Sequence, residues 1–203
     1  MSRKKNKKII TKDISNINYN IKKKVALLVY SSLPKFYDLF FYQEKNLIDS
    51  IIKQLNDKNS ELGNTKVFFS KKELIGILSF YDIKEAAIRQ SISLKIMVND
   101  LNNNKEIFYK LNKYRKLINN NEENSFYLAR IAVNPKYRRC GFGKILMNKF
   151  EKKALSKSFN KLSLHVYSAN IPAFEFYKKQ GYVQGSLSKK NKSFILMKKC
   201  IKL

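Results

Sequence analysis

FYLARIAVNPKYRRCGFGKILMNKFEKKA, residues 126–154, decides the fold. Phe126 to Val133 is aromatic and β-branched, the composition of a buried strand, and Asn134-Pro135 ends it because proline has no N–H to give a sheet ladder. Arg138, Arg139 and Cys140 then lead to Gly141 and Gly143, which bracket Phe142. Phe142, Ile145, Leu146 and Phe150 recur at i, i+3, i+4 and i+8, one face of a helix. The order strand, glycine turn, helix builds an anion site. The first N–H groups of a helix have no intrahelical partner and carry partial positive charge, and glycine lets a phosphate come close to them. Arg138, Arg139 and Lys144 add full charges. Taken alone, the turn reads equally well as a tight connection with no ligand.

The following stretch, KLSLHVYSANIPAFEFYKKQGY (Lys161 to Tyr182), extends the pattern. Leu162, Leu164 and Val166 alternate with Ser163, His165 and Tyr167, a strand with two distinct faces. Asn170 is placed to cap a helix with Pro172 in its first turn; Ala173, Phe176 and Tyr177 share one face, and Gly181 ends it. Two adjacent strand–helix units of one α/β sheet result.

On these residues the chain resembles the GCN5-related N-acetyltransferase (GNAT) superfamily, with RRCGFG as the acetyl-CoA pyrophosphate loop and NIPAFEFYKKQGY as the helix closing the cofactor cleft. In pattern it is most similar to the ribosomal-protein alanine N-acetyltransferases and the uncharacterised members near them. The resemblance implies an α/β fold of acyl-CoA N-acyltransferase type, a twisted mixed sheet of about seven strands flanked by helices, with a wedge between the fourth and fifth strands. It also implies an enzyme with acetyl-CoA as cosubstrate and an amine, protein or small molecule, as acceptor. The backbone of Ile131, Ala132 and Val133 would bond the pantetheine arm, Arg138, Arg139, Cys140, Gly141, Phe142, Gly143 and Lys144 would hold the pyrophosphate, and Asn170 would touch the cofactor. Tyr177 aligns with the tyrosine that protonates the leaving sulfur, or else is a core aromatic. His165 stands where the alanine N-acetyltransferases carry a glutamate. A neutral imidazole is a suitable general base, yet a lone histidine is as readily a structural strand residue; Glu175 and Glu123 are remoter substitutes.

The rest of the chain is read around this centre. At 203 residues with 44% hydrophobic content it is long enough for one cored domain over residues 1–203. Cys140 and Cys200 give neither metal spacing nor a disulfide framework, which suits a reducing cytosol. No apolar run approaches a membrane span, so a cytoplasmic location is expected. The formal net charge of +27 points to nucleic acid, the ribosome or an anionic surface, or simply to a lysine-rich solvated exterior. A basic RNA- or ribosome-binding module on the same fold is therefore the competing function.

Residues 1–8 read as a basic tail and Ile9 to Thr11 as a first strand. Asp13 is the expected cap of a helical stretch broken near Pro34, and Leu47, Ile48, Ile51, Ile52 and Leu55 form a further helical stripe. Lys66 to Ser70 and Leu74 to Tyr81 read as a hairpin. Residues 82–125 are an insertion before the fourth strand, expected at the acceptor end of the cleft or over the sheet edge. There Ile107, Leu111, Tyr114 and Ile118 suggest a helix, while Ile92, Leu94, Ile96 and Val98 also fit a strand; helix is the reading adopted. Tyr182 to Ser186 and Ser193 to Met197 form a final hairpin, followed by a basic tail from Lys198.

Overall fold

The computed structural model describes residues 8–38, 41, 44–100, 109, 123–185 and 193–202. The sheet is laid down as β1 (Ile10–Asp13), β2 (Lys66–Ser70), β3 (Glu73–Asp82), β4 (Phe126–Val133), β5 (Lys161–Tyr167), β6 (Val183–Gln184) and β7 (Phe194–Cys200). Its spatial order is β1-β2-β3-β4-β5-β7-β6, antiparallel except where β4 and β5 run parallel. Helices α1 (Tyr19–Ser32), α2 (Pro34–Tyr37), α3 (Glu44–Asn56) and α4 (Ala86–Asp100) precede β4. After it come α5 (Phe142–Leu155) and α6 (Ile171–Lys179).

Each face of the sheet has its own core. Val25, Leu28 and Val29 of α1 and Leu47, Ile51 and Leu55 of α3 pack with Val67, Ile77 and Ala132. On the other face Leu146, Met147 and Phe150 of α5 and Tyr177 of α6 pack with Leu78, Phe80, Phe126, Leu128, Leu164 and Val166. Phe150, fully buried, stacks on Phe126 with ring centroids 5.5 Å apart and lies 5.9 Å from Phe80. The mixed α/β sheet with helices on both faces is the expected architecture.

Two irregularities at β4 shape the cleft. The β3–β4 register shifts between Ser79 and Phe80, so that Ser79 faces Arg130 while Phe80 faces Leu128, and Ala129 is left as the extra residue of a bulge. Side-chain parity flips there: Phe126 and Leu128, then Ile131 and Val133, join the α5 face, whereas Tyr127, Ala129 and Ala132 lie on the other. In addition β4 and β5 pair only from Phe126–Leu162 to Leu128–Leu164. Beyond that point β4 stays with β3 as far as Val133 and β5 stays with β7 as far as Tyr167, so the two strands part.

Several sequence expectations are corrected. Asp13 ends β1; α1 is capped by Asn18, whose side chain accepts from Ile21 N–H at 3.0 Å. Lys198 to Cys200 continue β7 opposite Lys161 to Ser163, because Met197 is buried in the core and Lys199 Nζ is held by Glu151 Oε1 and Gln180 O, both at 2.8 Å. In agreement with the helix expected there, Ile92 to Val98 lie within α4, which turns Gln90, Ser93 and Met97 inward at i, i+3 and i+7. The basic tail as far as residue 7, the 107, 111, 114 and 118 stripe, and the tip of the last hairpin lie outside the described residues. Among the described residues no helix is long and apolar enough to cross a membrane.

Gly76 sets how closely β3 approaches β4: a Cβ there would sit 2.5 Å from the Ala132 carbonyl oxygen and 3.0 Å from Leu146 Cδ1. Gly76→Ala should therefore cost about 1–3 kcal/mol of stability, as overpacked cores do, and a thermal melt should show Tm several degrees lower.

Candidate active site

The parted strands open a cavity of about 1240 Å³. One end of it is built by the turn between β4 and α5. Asn134 anchors that turn: its N–H donates to Ile75 O at 2.8 Å, its Nδ2 to Leu74 O at 2.9 Å, and its Oδ1 accepts from Lys136 N–H at 3.1 Å. Arg139 and Gly141 take left-handed backbone angles, φ 60° and 81°, which bend the chain into α5. Gly141 is the N-cap and offers no side-chain cap, and a Cβ built on it would have nothing within 4 Å. Gly141 and Gly143 at the N-terminus of α5 border the cavity beside Arg138, Arg139 and Lys144. Arg138 is braced by its Nε donating to Val133 O at 3.2 Å.

Ile131, Ala132 and Val133 line the wedge on the strand edge that no longer pairs with β5. Asn170 borders the cavity as the cap of α6, its Oδ1 accepting from Ala173 N–H at 3.3 Å. Phe142 is placed differently: its side chain is core, edge-on to Tyr137 at 5.9 Å, which leaves its backbone N–H as what it can offer an anion. Cys140 is exposed and does not border the cavity.

The far end holds the titratable groups. His165 lies on the β5 face opposite to Leu164 and Val166 and borders the cavity, with Nδ1 3.2 Å from Tyr127 Oη. Tyr177 borders the cavity from α6, 8% exposed, and also packs its ring 6.1 Å from Tyr182. Burial holds the Tyr177 phenol well above its ordinary value, and Arg130 pulls it part of the way back. Glu175 borders the cavity while bonded to Lys178 at 3.1 Å, and Glu123 is exposed.

The structure adds residues that the sequence reading passed over. Arg130, turned by the bulge, shares its face with Tyr127 and hydrogen-bonds Tyr37, while its guanidinium also donates to Ala129 O at 2.7 Å. Burial opposes its charge, but Tyr37, Glu61 and Tyr127 more than restore it. Glu61 accepts from Tyr81 Oη at 2.8 Å, and the Tyr81 ring lies tilted against that of Tyr127, centroids 5.4 Å apart. The available signal was the charge itself: an arginine inside an otherwise apolar central strand must find partners or pay heavily in desolvation.

The acetyltransferase (GNAT) family model matches residues 31–182. The chain belongs to that family. The solved structures of similar fold include an acetyltransferase (18% identity, 95% of this chain and 100% of that one, TM-score 0.63). SsHAT is another (13%, 95% and 98%, TM-score 0.68), as is the PaiA N-acetyltransferase of Thermoplasma acidophilum in complex with coenzyme A (18%, 96% and 99%, TM-score 0.55). GNAT enzymes take their acetyl group from acetyl-CoA, and the uncapped α5 terminus with its three cations is a fit receptor for a pyrophosphate.

Two outcomes follow from this geometry. Gly141→Asp keeps a residue that tolerates the left-handed region but sets a carboxylate before the amides; acetyl-CoA titration should show binding lost while circular dichroism stays native. Arg138→Ala should weaken binding by about tenfold or more, the worth of a charge-assisted bond. The second outcome concerns alkali. Burial raises Tyr81, Tyr127, Tyr177 and Tyr182 above the ordinary 10.0, so the unfolded chain loses those protons first. Their contribution to stability is complete below pH 10 and is lost above it, and phenolate absorbance should rise together with unfolding.

Proposed function

We propose that this GNAT enzyme transfers the acetyl group of acetyl-CoA to a primary amine, with His165 as the base and Tyr177 as the acid. The observation that carries the reading is the separation of β4 from β5 after Leu128, because the turn before α5, His165 and Tyr177 all border the one cavity it opens. The turn holds the donor's phosphates, the freed edge of β4 aligns its arm, and the acceptor enters past α2 and α4.

The chemistry balances over these groups. The amine nitrogen bonds to the thioester carbonyl carbon, the C–S bond breaks, the proton of the amine passes to His165 and the Tyr177 hydroxyl proton passes to sulfur. For Nε2 to accept, Nδ1–H must donate to Tyr127, a tautomer that the 3.2 Å contact permits. Tyr127 suits that task, since burial foremost, and Glu61, raise its phenol and keep it neutral. A buried phenol at position 177 likewise keeps its proton at neutral pH until the sulfur acquires charge.

Tyr177→Phe removes only the hydroxyl, so the fold should persist while turnover falls roughly 10²-fold or more. His165→Gln tests the base. In the wild type, kcat/KM should rise with pH as the imidazole loses its proton, and the variant should lack that limb. Full activity with an unchanged profile in His165→Gln would remove the histidine from the mechanism. A Tm shift on adding micromolar acetyl-CoA separates the enzyme from an RNA- or ribosome-binding module, which would bind RNA with no response to cofactor.

A further inference from the structure

The flank of α5 beside β2 carries charge that the active site does not use. Lys149 and Lys153 stand one above the other at i and i+4, about 6 Å apart along the helix axis. Lys157 continues the row in the turn that closes α5, and Lys152 lies next to it; Lys152, Lys153 and Lys157 are exposed. Phe68 of β2 packs on α5 with Lys149 Nζ 5.8 Å from its ring centroid. Two residues before it, on the same face, Lys66 completes the group: burial foremost, then the charges of Lys153 and Lys157, lower its pKa. Asp13, opposite on β1, pairs with Lys66. The acid within α5, Glu151, is turned instead to Lys199 of β7 at 2.8 Å. Lys149, Lys152, Lys153 and Lys157 have no ion-pair partner among the described residues. Like charges at i and i+4 repel, so an anion lying along the row relieves a strain that the free protein carries. None of the five lysines borders the cavity, which separates them from Arg138, Arg139 and Lys144.

What the surface has and lacks narrows its partner. The row from Lys149 to Lys157 runs for about 12 Å at the rise of a helix, longer than one phosphate, so it fits an anion whose charges repeat. Phe68 is buried beneath Lys149, so unpaired bases find no ring on which to stack. An apolar anchor for a lipid layer is missing too: Ile10, exposed on β1, pairs with Phe69 and so lies on the opposite face of the sheet from Thr11 and Asp13. A reader of the DNA major groove presents Arg, Asn or Gln to base edges, whereas this row is lysine throughout. Contact with phosphates and no base reading is the usual mode for double-helical RNA, whose major groove is too deep and narrow for side chains.

We infer that Lys149, Lys152, Lys153 and Lys157 of α5, with Lys66 of β2, form a docking surface for the phosphate backbone of double-helical RNA. The surface is additional to the acetyl transfer proposed above and does not depend on it. Because the lysines lie away from the cavity, the enzyme can hold RNA on one side of α5 while its N-terminus handles the cofactor. Binding is independent of base sequence, since every contact is to phosphate.

The test titrates the full chain into a labelled RNA duplex of about 20 base pairs, long enough for a surface contact, and follows fluorescence anisotropy across a range of salt. Wild type should bind, with log K falling against log salt at a slope of about −3 to −4, close to 0.9 for each neutralised phosphate. Lys152→Glu/Lys153→Glu/Lys157→Glu should weaken binding at least about tenfold and flatten the slope by about three, one for each lysine lost. Reversal sets carboxylates near the C-terminus of α5, which the helix dipole disfavours, so Lys152→Gln/Lys153→Gln/Lys157→Gln is measured beside it and should show a smaller loss of the same kind. The control is Lys24→Glu/Lys58→Glu/Lys95→Glu, which changes net charge equally at exposed sites outside this surface and should lose little. An acetyl-CoA-induced Tm shift equal to that of the wild type reports that each variant is folded. No binding by wild type, or an equal loss in the control, would overturn the inference. So would a DNA duplex, a single strand or an anionic vesicle bound as tightly as the RNA duplex. None of these results touches the acetyltransferase, and failure to acetylate any amine would leave the RNA surface standing.

Discussion

Everything about the site depends on β4 and β5 being unable to remain paired. β4 keeps its ladder with β3 to Val133, and β5 keeps its ladder with β7 to Tyr167. Each strand is committed on its outer edge, so the twist that accumulates between them is released on the inner edge, after only three paired positions. Backbone groups that a sheet would consume are thereby left for a ligand. Packing enforces the split, since Leu162, Leu164 and Val166 are clamped onto α5 and α6 while Ala132 is held from the other face by the α1 and α3 layer.

Charge is distributed along the resulting cleft with a clear division. At one end the cations are exposed, suited to a large, strongly hydrated polyanion that must come and go. At the other end a single guanidinium sits among phenols with little water, where its hydrogen bonds are stronger and its orientation is fixed. The high net charge of the chain contributes little to this second region, because its partners there are a carboxylate and tyrosines chosen by position.

How much of this could be read from residues alone varied with the kind of signal. The strand–turn–helix at 126–154 was legible because proline, glycine and a 3.6-residue period each mark a boundary in their own way. His165 was placed on the cleft face because β5 alternates without interruption through Leu164 and Val166. Arg130 escaped because the bulge that redirects it falls on Ala129, a residue with nothing unusual about it, and a single extra residue reverses every later assignment. Glu61 was invisible for a different reason: its importance comes from Tyr81 and Arg130, distant in sequence and brought near only by the sheet. Ile92 to Val98 satisfied two periodicities at once, and only the burial of Gln90, Ser93 and Met97 along one side distinguishes helix from strand.

The segment that carries Glu61 has one further property. Arg89 of α4 donates to the carbonyls of Lys58 and Ser60, both at 2.9 Å, and Ser93 Oγ accepts from the Glu61 N–H at 3.0 Å. Lys53 of α3 bonds Asp100 at the other end of the same helix. The helix thus acts as a splint on the cavity wall that carries Glu61, whereas the turn between β4 and α5 is moored to β3 by Asn134. Inheritance can therefore treat the two ends separately. Drift in the splint can reshape the cavity wall that carries Glu61, generation by generation, while the turn before α5 is passed on unchanged.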